Sequence, residues 1–206
     1  MKILLINGSP KNSNSSSELV MNELSKQLGD SNEYITINTV ELSKKVFLDK
    51  FTGVDIAVII FPLYVDGMPS HLLRLLYESK DELMDINPNV LVYAVANNGF
   101  YEGKQNALAL NMIQHFCDAA GVKWGQGLGI GAGGMLSASP IGVGPLKNIG
   151  TALNTLAANI NENISGDNLF TQPNFPKFLY KMGAHFHFIQ VAKKKGIKRK
   201  VLYIRH

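Results

Sequence analysis

The chain has 206 residues, 46% of them apolar and only 17% charged, which suits one folded domain with a short appendage and excludes disorder, collagen and coiled coil. A single cysteine, Cys117, excludes disulfide scaffolds, cysteine-based zinc sites and cysteine-ligated iron-sulfur clusters, and fits a cytoplasmic location. The net charge of +4 hides a division: residues 168–206 carry nine Lys or Arg and no Asp or Glu, while residues 1–167 carry eleven against sixteen, a net −5.

The opening apolar run, Ile3 to Ile6, is far shorter than the roughly 7 to 15 residues of a secretory signal. The longest nearly uncharged span, Trp124 to Leu146, holds eight glycines and two prolines and cannot form a continuous membrane helix. No membrane insertion is expected.

Lys2 to Asn7 reads as a strand buried on both faces, followed by a polar loop and then by Val20, Met21, Leu24 and Leu28 at helical spacing. Tyr34 to Ile37 is a brief alternating strand, and Val54 to Phe61 is a β-branched run that suits the centre of a parallel sheet. Helical spacing returns at Leu72, Leu73, Leu76 and Leu83. Asn89 to Ala96 is another buried strand, with Leu108, Met112, Phe116 and Ala119 marking the helix after it. Leu146, Ile149, Leu153, Leu156 and Ile160 form the strongest helical pattern, with Pro145 at its favoured first position. This alternation predicts a doubly wound α/β fold, with five parallel strands and helices on both faces, over residues 1–166. Residues 167–206 read as a basic extension, with Phe178, Met182, Phe186 and Ile189 on one face of a helix ending at Gly196.

Open parallel sheets bind ligands beyond the carboxyl ends of their strands, and three loops that leave such ends have unusual composition. Gly8 to Ser17 packs five serines and two asparagines ahead of a helix. Its hydroxyls, amides and main-chain N–H groups suit a phosphate without much fixed charge; equally, Ser15 with Glu18 three residues on reads as a capping box. The loop lacks both the P-loop spacing and the GxGxxG spacing. Pro62 to Ser70 carries two prolines, a glycine and Tyr64, a surface for a planar ring or a plain strand-to-helix connection with a packed tyrosine. The third loop, Asn97 to Gly103, opens on an Asn-Gly turn signal and places Phe100 beside Tyr101.

Gly8-Ser9-Pro10 with Ser13-Asn14-Ser15, then Pro62-Leu63-Tyr64 with Gly67 and Pro69, then Asn98-Gly99-Phe100-Tyr101-Glu102, together resemble the flavodoxin-like NAD(P)H-dependent FMN reductase family. That family includes multimeric quinone reductases and iron-sulfur flavoproteins. The likeness runs from residue 1 to about 160. It implies a flavodoxin-like fold with FMN as cofactor, NADH or NADPH as donor, and a small electron acceptor such as a quinone or free flavin. It further implies that Ser9, Lys11, Ser13, Asn14, Ser15 and Ser16 surround the FMN phosphate. Pro62, Leu63, Tyr64, Val65 and Gly67 would then border the flavin ring, with Asn98, Gly99, Phe100 and Tyr101 on another edge. Many relatives carry Arg where Lys11 stands, and one cysteine cannot supply the cluster of the iron-sulfur members. Because the cofactor carries the redox chemistry, no catalytic side chain is expected.

Other features have plainer readings. Gly129-Ile130-Gly131-Ala132-Gly133-Gly134 matches GxGxxG too late in the chain, without an acidic residue about twenty positions on, and reads as a flexible loop after the fifth strand. Cys117 reads as a core residue, and the five histidines are spaced wrongly for a metal site. Lys193 to Lys195 and Lys198 to Lys200 read as a solvated helix end, its lysines complementing the dipole, rather than as a nucleic-acid or membrane site. Low charge and the glycine-rich span Gly125 to Gly144 favour a homodimer or higher homo-oligomer. The alternative function is a flavodoxin-like electron carrier or redox-responsive interaction protein, against which the basic pI of 9.1 argues.

Overall fold

The computed structural model describes residues 1–11, 13–197 and 201–202, so that Lys198, Arg199 and Lys200 lie outside the described residues. Its elements run β1 (Lys2–Asn7), α1 (Ser16–Leu28), β2 (Glu33–Asn38), α2 (Lys44–Asp49), β3 (Ile56–Pro62), α3 (Ser70–Ile86), β4 (Leu91–Asn97), α4 (Ala107–Ala120), β5 (Lys123–Ile130), α5 (Lys147–Asn161), β6 (Leu169–Thr171) and α6 (Lys177–Lys194). Contacts divide the chain into two units, Met1–Pro173 and Asn174–His206, the second built around α6.

The sheet of the first unit is wholly parallel, in the order β2-β1-β3-β4-β5-β6. Alternation along each strand sorts its side chains between two cores. Leu4, Ile6, Ala57, Ile59, Phe61, Val92 and Ala94 pack with α2, α3 and α4 on one face. Ile3, Leu5, Ile56, Val58, Ile60, Tyr93 and Val95 pack with α1 and α5 on the other. This two-sided burial is why β1, β3 and β4 are continuous apolar runs.

The expected five strands are six. The addition, β6, pairs Leu128, Gly129 and Ile130 of β5 with Leu169, Phe170 and Thr171. Three residues between Gly166 and Pro173 are too few to show a period of two, so the strand is created by tertiary pairing. The short helix α2 leaves no sequence signal for the same reason: six residues offer less than two turns of pattern.

The expected flexible loop at Gly129 to Gly134 also needs correction. Gly129 and Ile130 belong to β5, and residues 131–135 are tied down by main-chain bonds: Gly131 N–H to Thr171 O at 2.9 Å, Gly133 N–H to Asn98 O at 2.6 Å and Met135 N–H to Ala132 O at 2.8 Å. The glycines serve close approach rather than freedom. A Cβ on Gly131 would collide with the carbonyl of Tyr101, and one on Gly103 with the carbonyl of Thr171.

Cys117 lies fully buried on α4 within the first core. Burial, with the Asp118 carboxylate adjoining, pushes its thiol up to about 12, and burial does the same to the Tyr93 hydroxyl. Both groups are held protonated in the fold. Their contribution to stability is complete below their ordinary values of 9.0 and 10.0 and is lost as pH rises through about 12.

This packing has two measurable outcomes. Gly103→Ala should lower unfolding stability by at least about 2 kcal/mol in denaturant titration, because backbone rather than a flexible side chain must move aside. In the native protein at pH 8, Cys117 should resist a thiol-specific colorimetric reagent until denaturant is added. Rapid labelling without denaturant would show that α4 opens locally.

Candidate functional site

Strand order reverses between β1 and β3: the chain moves from β1 outward to β2, then returns to place β3 on the other side of β1. The carboxyl ends of β1, β3 and β4 therefore surround the switch point where open α/β sheets form a crevice.

The first loop is built on side-chain bonds to its own main chain. Asn7 Oδ1 accepts from Ser9 N–H at 3.0 Å, and Ser9 Oγ accepts from Lys11 N–H at 3.2 Å. Gly8 N–H donates to Ile60 O at 2.8 Å, fixing the loop to β3. Ser9 and Ser15 are buried, while Lys11, Ser13 and Asn14 stand exposed, Asn14 with φ of +54°. Ser15 caps α1, its Oγ accepting from Glu18 N–H at 3.1 Å. Ser16 Oγ donates to Gly133 O at 3.1 Å. The hydroxyls of Ser9, Ser15 and Ser16 thus shape the loop. What they leave pointing beyond α1 are first-turn N–H groups, which no helix can satisfy internally.

The second loop leaves β3 at Pro62 and enters α3 at Pro69, so the two prolines bracket it. Its tightness comes from a two-residue hairpin: Tyr64 N–H donates to Gly67 O at 2.8 Å and Gly67 N–H returns to Tyr64 O at 2.9 Å. Both central residues, Val65 at φ +46° and Asp66 at +60°, are left-handed, as a type I′ turn demands. Val65 is a β-branched residue in a strained conformation with its side chain wholly in solvent. Tyr64, 47% exposed, stands beside it.

The third loop is held from behind. Asn98 N–H donates to Ile130 O at 3.0 Å and its Nδ2 to Glu102 O at 3.2 Å, while Asn98 Oδ1 is buried without a donor among the described residues. Phe100 is 55% exposed, and its carbonyl accepts from Ala132 N–H at 2.5 Å. Tyr101 is half-buried, with its hydroxyl donating to Pro173 O at 3.2 Å, which gives that hydroxyl a structural partner.

The residue that joins these loops is Asn97, the last of β4 and 4% exposed. Its Nδ2 donates to Ser17 Oγ at 3.0 Å on α1 and to Phe61 O at 3.1 Å on β3, while its carbonyl accepts from Leu63 N–H at 2.7 Å. Sequence reasoning singles out Asn98 and misses Asn97, along with Ser17 and Gly133. An asparagine ending an apolar strand run is the available signal, since a buried amide must find partners. At the start of α3, His71 Nε2 lies 3.1 Å from Thr39 Oγ1, and burial lowers the His71 pKa. Among the described residues no group of three or more His, Cys, Asp or Glu could hold a metal ion. No helix among them is long and apolar enough to cross a membrane.

The architecture defines a flavodoxin-like fold. No protein-family model and no curated protein matches the sequence. Among solved structures, an NADH:FMN oxidoreductase in its apo form aligns at TM-score 0.63 and 15% identity, over 80% of this chain and 90% of that one. An FMN-dependent NADH-azoreductase from Bacillus anthracis, in complex with FMN, aligns at TM-score 0.56 and 13% identity over 78% and 100%. A flavodoxin from Streptococcus pneumoniae aligns at 0.54 and 13% over 80% and 100%.

The left-handed Val65 gives a stability test. Val65→Asn should raise unfolding stability by about 1 kcal/mol, because asparagine tolerates positive φ and no burial is lost. An unchanged or lower denaturation midpoint would remove the argument from strain.

Proposed function

We propose that this chain is an FMN-dependent NAD(P)H oxidoreductase, passing hydride from a nicotinamide cofactor to bound FMN and on to a small acceptor such as a quinone or flavin. The observation that carries the reading is the convergence of three composition-biased loops on the switch point, bound to one another through Asn97, Ser16 and Gly133. The fold shared with FMN-dependent reductases supports it.

The residues present fit the cofactor. A phosphate suits the start of α1, where first-turn N–H groups and the exposed side chains of Lys11, Ser13 and Asn14 supply donors. Ser9, Ser15 and Ser16 hold that loop in shape. A flat ring would be bordered by Pro62, Leu63, Tyr64, Val65 and Gly67 on one side and by Asn98, Gly99, Phe100 and Tyr101 on the other. Tyr64 and Phe100 offer exposed aromatic surface there. When bound, FMN supplies a ring that accepts hydride from nicotinamide and passes electrons onward. The protein's part is to grip the phosphate, hold the ring between rigid turns and leave one face for donor and acceptor in succession. The strain at Val65 is consistent with a turn kept for contact rather than for stability. Action in the cytoplasm as a homodimer or higher homo-oligomer belongs to the same proposal.

The deciding measurement is the spectrum of purified protein with FMN, followed anaerobically on adding NADH or NADPH. Yellow absorbance should co-elute with the protein and bleach with one of the two nicotinamides. Failure to retain FMN overturns the reading; retention without bleaching leaves a flavodoxin-like electron carrier. Tyr64→Ala and Phe100→Ala should each weaken FMN binding by roughly tenfold with the denaturation midpoint unchanged, because both side chains are exposed. Equal losses of stability and binding would mark these residues as packing only.

A further inference from the structure

The second unit carries a feature that flavin chemistry does not use. On α6, Phe178, Met182 and Phe186 recur every four residues and so share one side of the helix. They are 64%, 62% and 62% exposed, while Phe188, 69% exposed, and Val191 stand on other sides of the helix. Single exposed apolar residues are ordinary, but an in-register row of large ones is a patch that something covers. The same segment bears all of the chain's charge bias, with nine Lys or Arg and no acid in residues 168–206. Lys181 lies beside the row, and Lys193 and Lys194 close the last turn of α6.

We infer that α6 docks on the surface of an anionic lipid bilayer, lying in the headgroup layer with Phe178, Met182 and Phe186 at the acyl boundary. The partner must be apolar and anionic together. A second copy of this chain brings another segment of +9, so helix-to-helix pairing sets like charges against each other. A nucleic acid supplies anions but offers aliphatic Met182 nothing to bury against. A bilayer offers both: acyl chains for the row, and anionic headgroups for lysines whose stems snorkel along the helix. With 18 residues α6 is long enough to lie in the interface, and no described helix is suited to crossing it. Residues 1–167, at net −5, add no attraction, so the basic segment that contains α6 carries the docking. The lysines read from sequence as a solvated helix end thereby acquire a ligand.

The test is sedimentation of the full chain with vesicles of phosphatidylcholine alone and of phosphatidylcholine with one third phosphatidylglycerol. The protein should pellet with the anionic vesicles and stay in solution with the neutral ones, and added salt should release it. Phe178→Ser/Met182→Ser/Phe186→Ser keeps every charge and should cut the anionic-vesicle partition by roughly tenfold or more. Circular dichroism and retained FMN binding report that this variant is folded. The inference is overturned if the wild type does not sediment, or if the triple variant sediments as well as the wild type. Tighter retention on single-stranded DNA than on vesicles, lost in the same variant, overturns it in favour of nucleic acid. A dimer in light scattering that the triple variant dissociates, without vesicle binding, overturns it in favour of a second copy.

Discussion

One buried amide governs the carboxyl edge of the sheet. Asn97 sits at the end of β4, where an apolar strand hands over to an exposed loop, and its two N–H donors reach α1 and β3 at once. A buried amide that loses a partner costs about 1 to 3 kcal/mol, so the three elements are fixed relative to one another more firmly than packing alone would fix them. The turns they carry inherit that rigidity. Tyr64 and Phe100, about half exposed, are carried on backbone that those bonds hold in place.

How legible each element is in the sequence depends on what stabilises it. Strands β1, β3 and β4 are buried on both faces, so their composition alone reveals them. Helices α1, α3, α4 and α5 each bury one stripe, and the period shows. By contrast β6 exists because β5 pairs with it, and α2 because Phe47 and Leu48 join the core that it shares with α3; neither leaves a local pattern. At the site, composition marks the loops but cannot assign work within them. Ser15 and Ser16 prove to be occupied by a cap and a tie, and the pairings of Asn97 with Ser17 and of Asn98 with Gly133 span 80 and 35 residues. Contacts of that range are not written in spacing.

Charge is divided along the chain in a way that matters physically. The loop before α1 offers an anion one fixed cation, Lys11, and otherwise dipoles. An anion held there as proposed would be recognised by direction more than by field, and salt would weaken it only modestly. The segment after residue 167 is the reverse in sequence, nine cations and no acid.

β5 interleaves Gly125, Gly127 and Gly129 with larger residues. Glycines 129 and 131 let the main chain of residues 101–103 lie directly against the strand and the residue after it, with no side chain between. The height of the turn that carries Phe100 and Tyr101 is accordingly set by the thickness of a polypeptide backbone for as long as those positions stay glycine. Phe100, exposed at the tip, could be exchanged without resetting the platform that bears it, whereas Tyr101 is tied to it through the bond from its hydroxyl to Pro173 O.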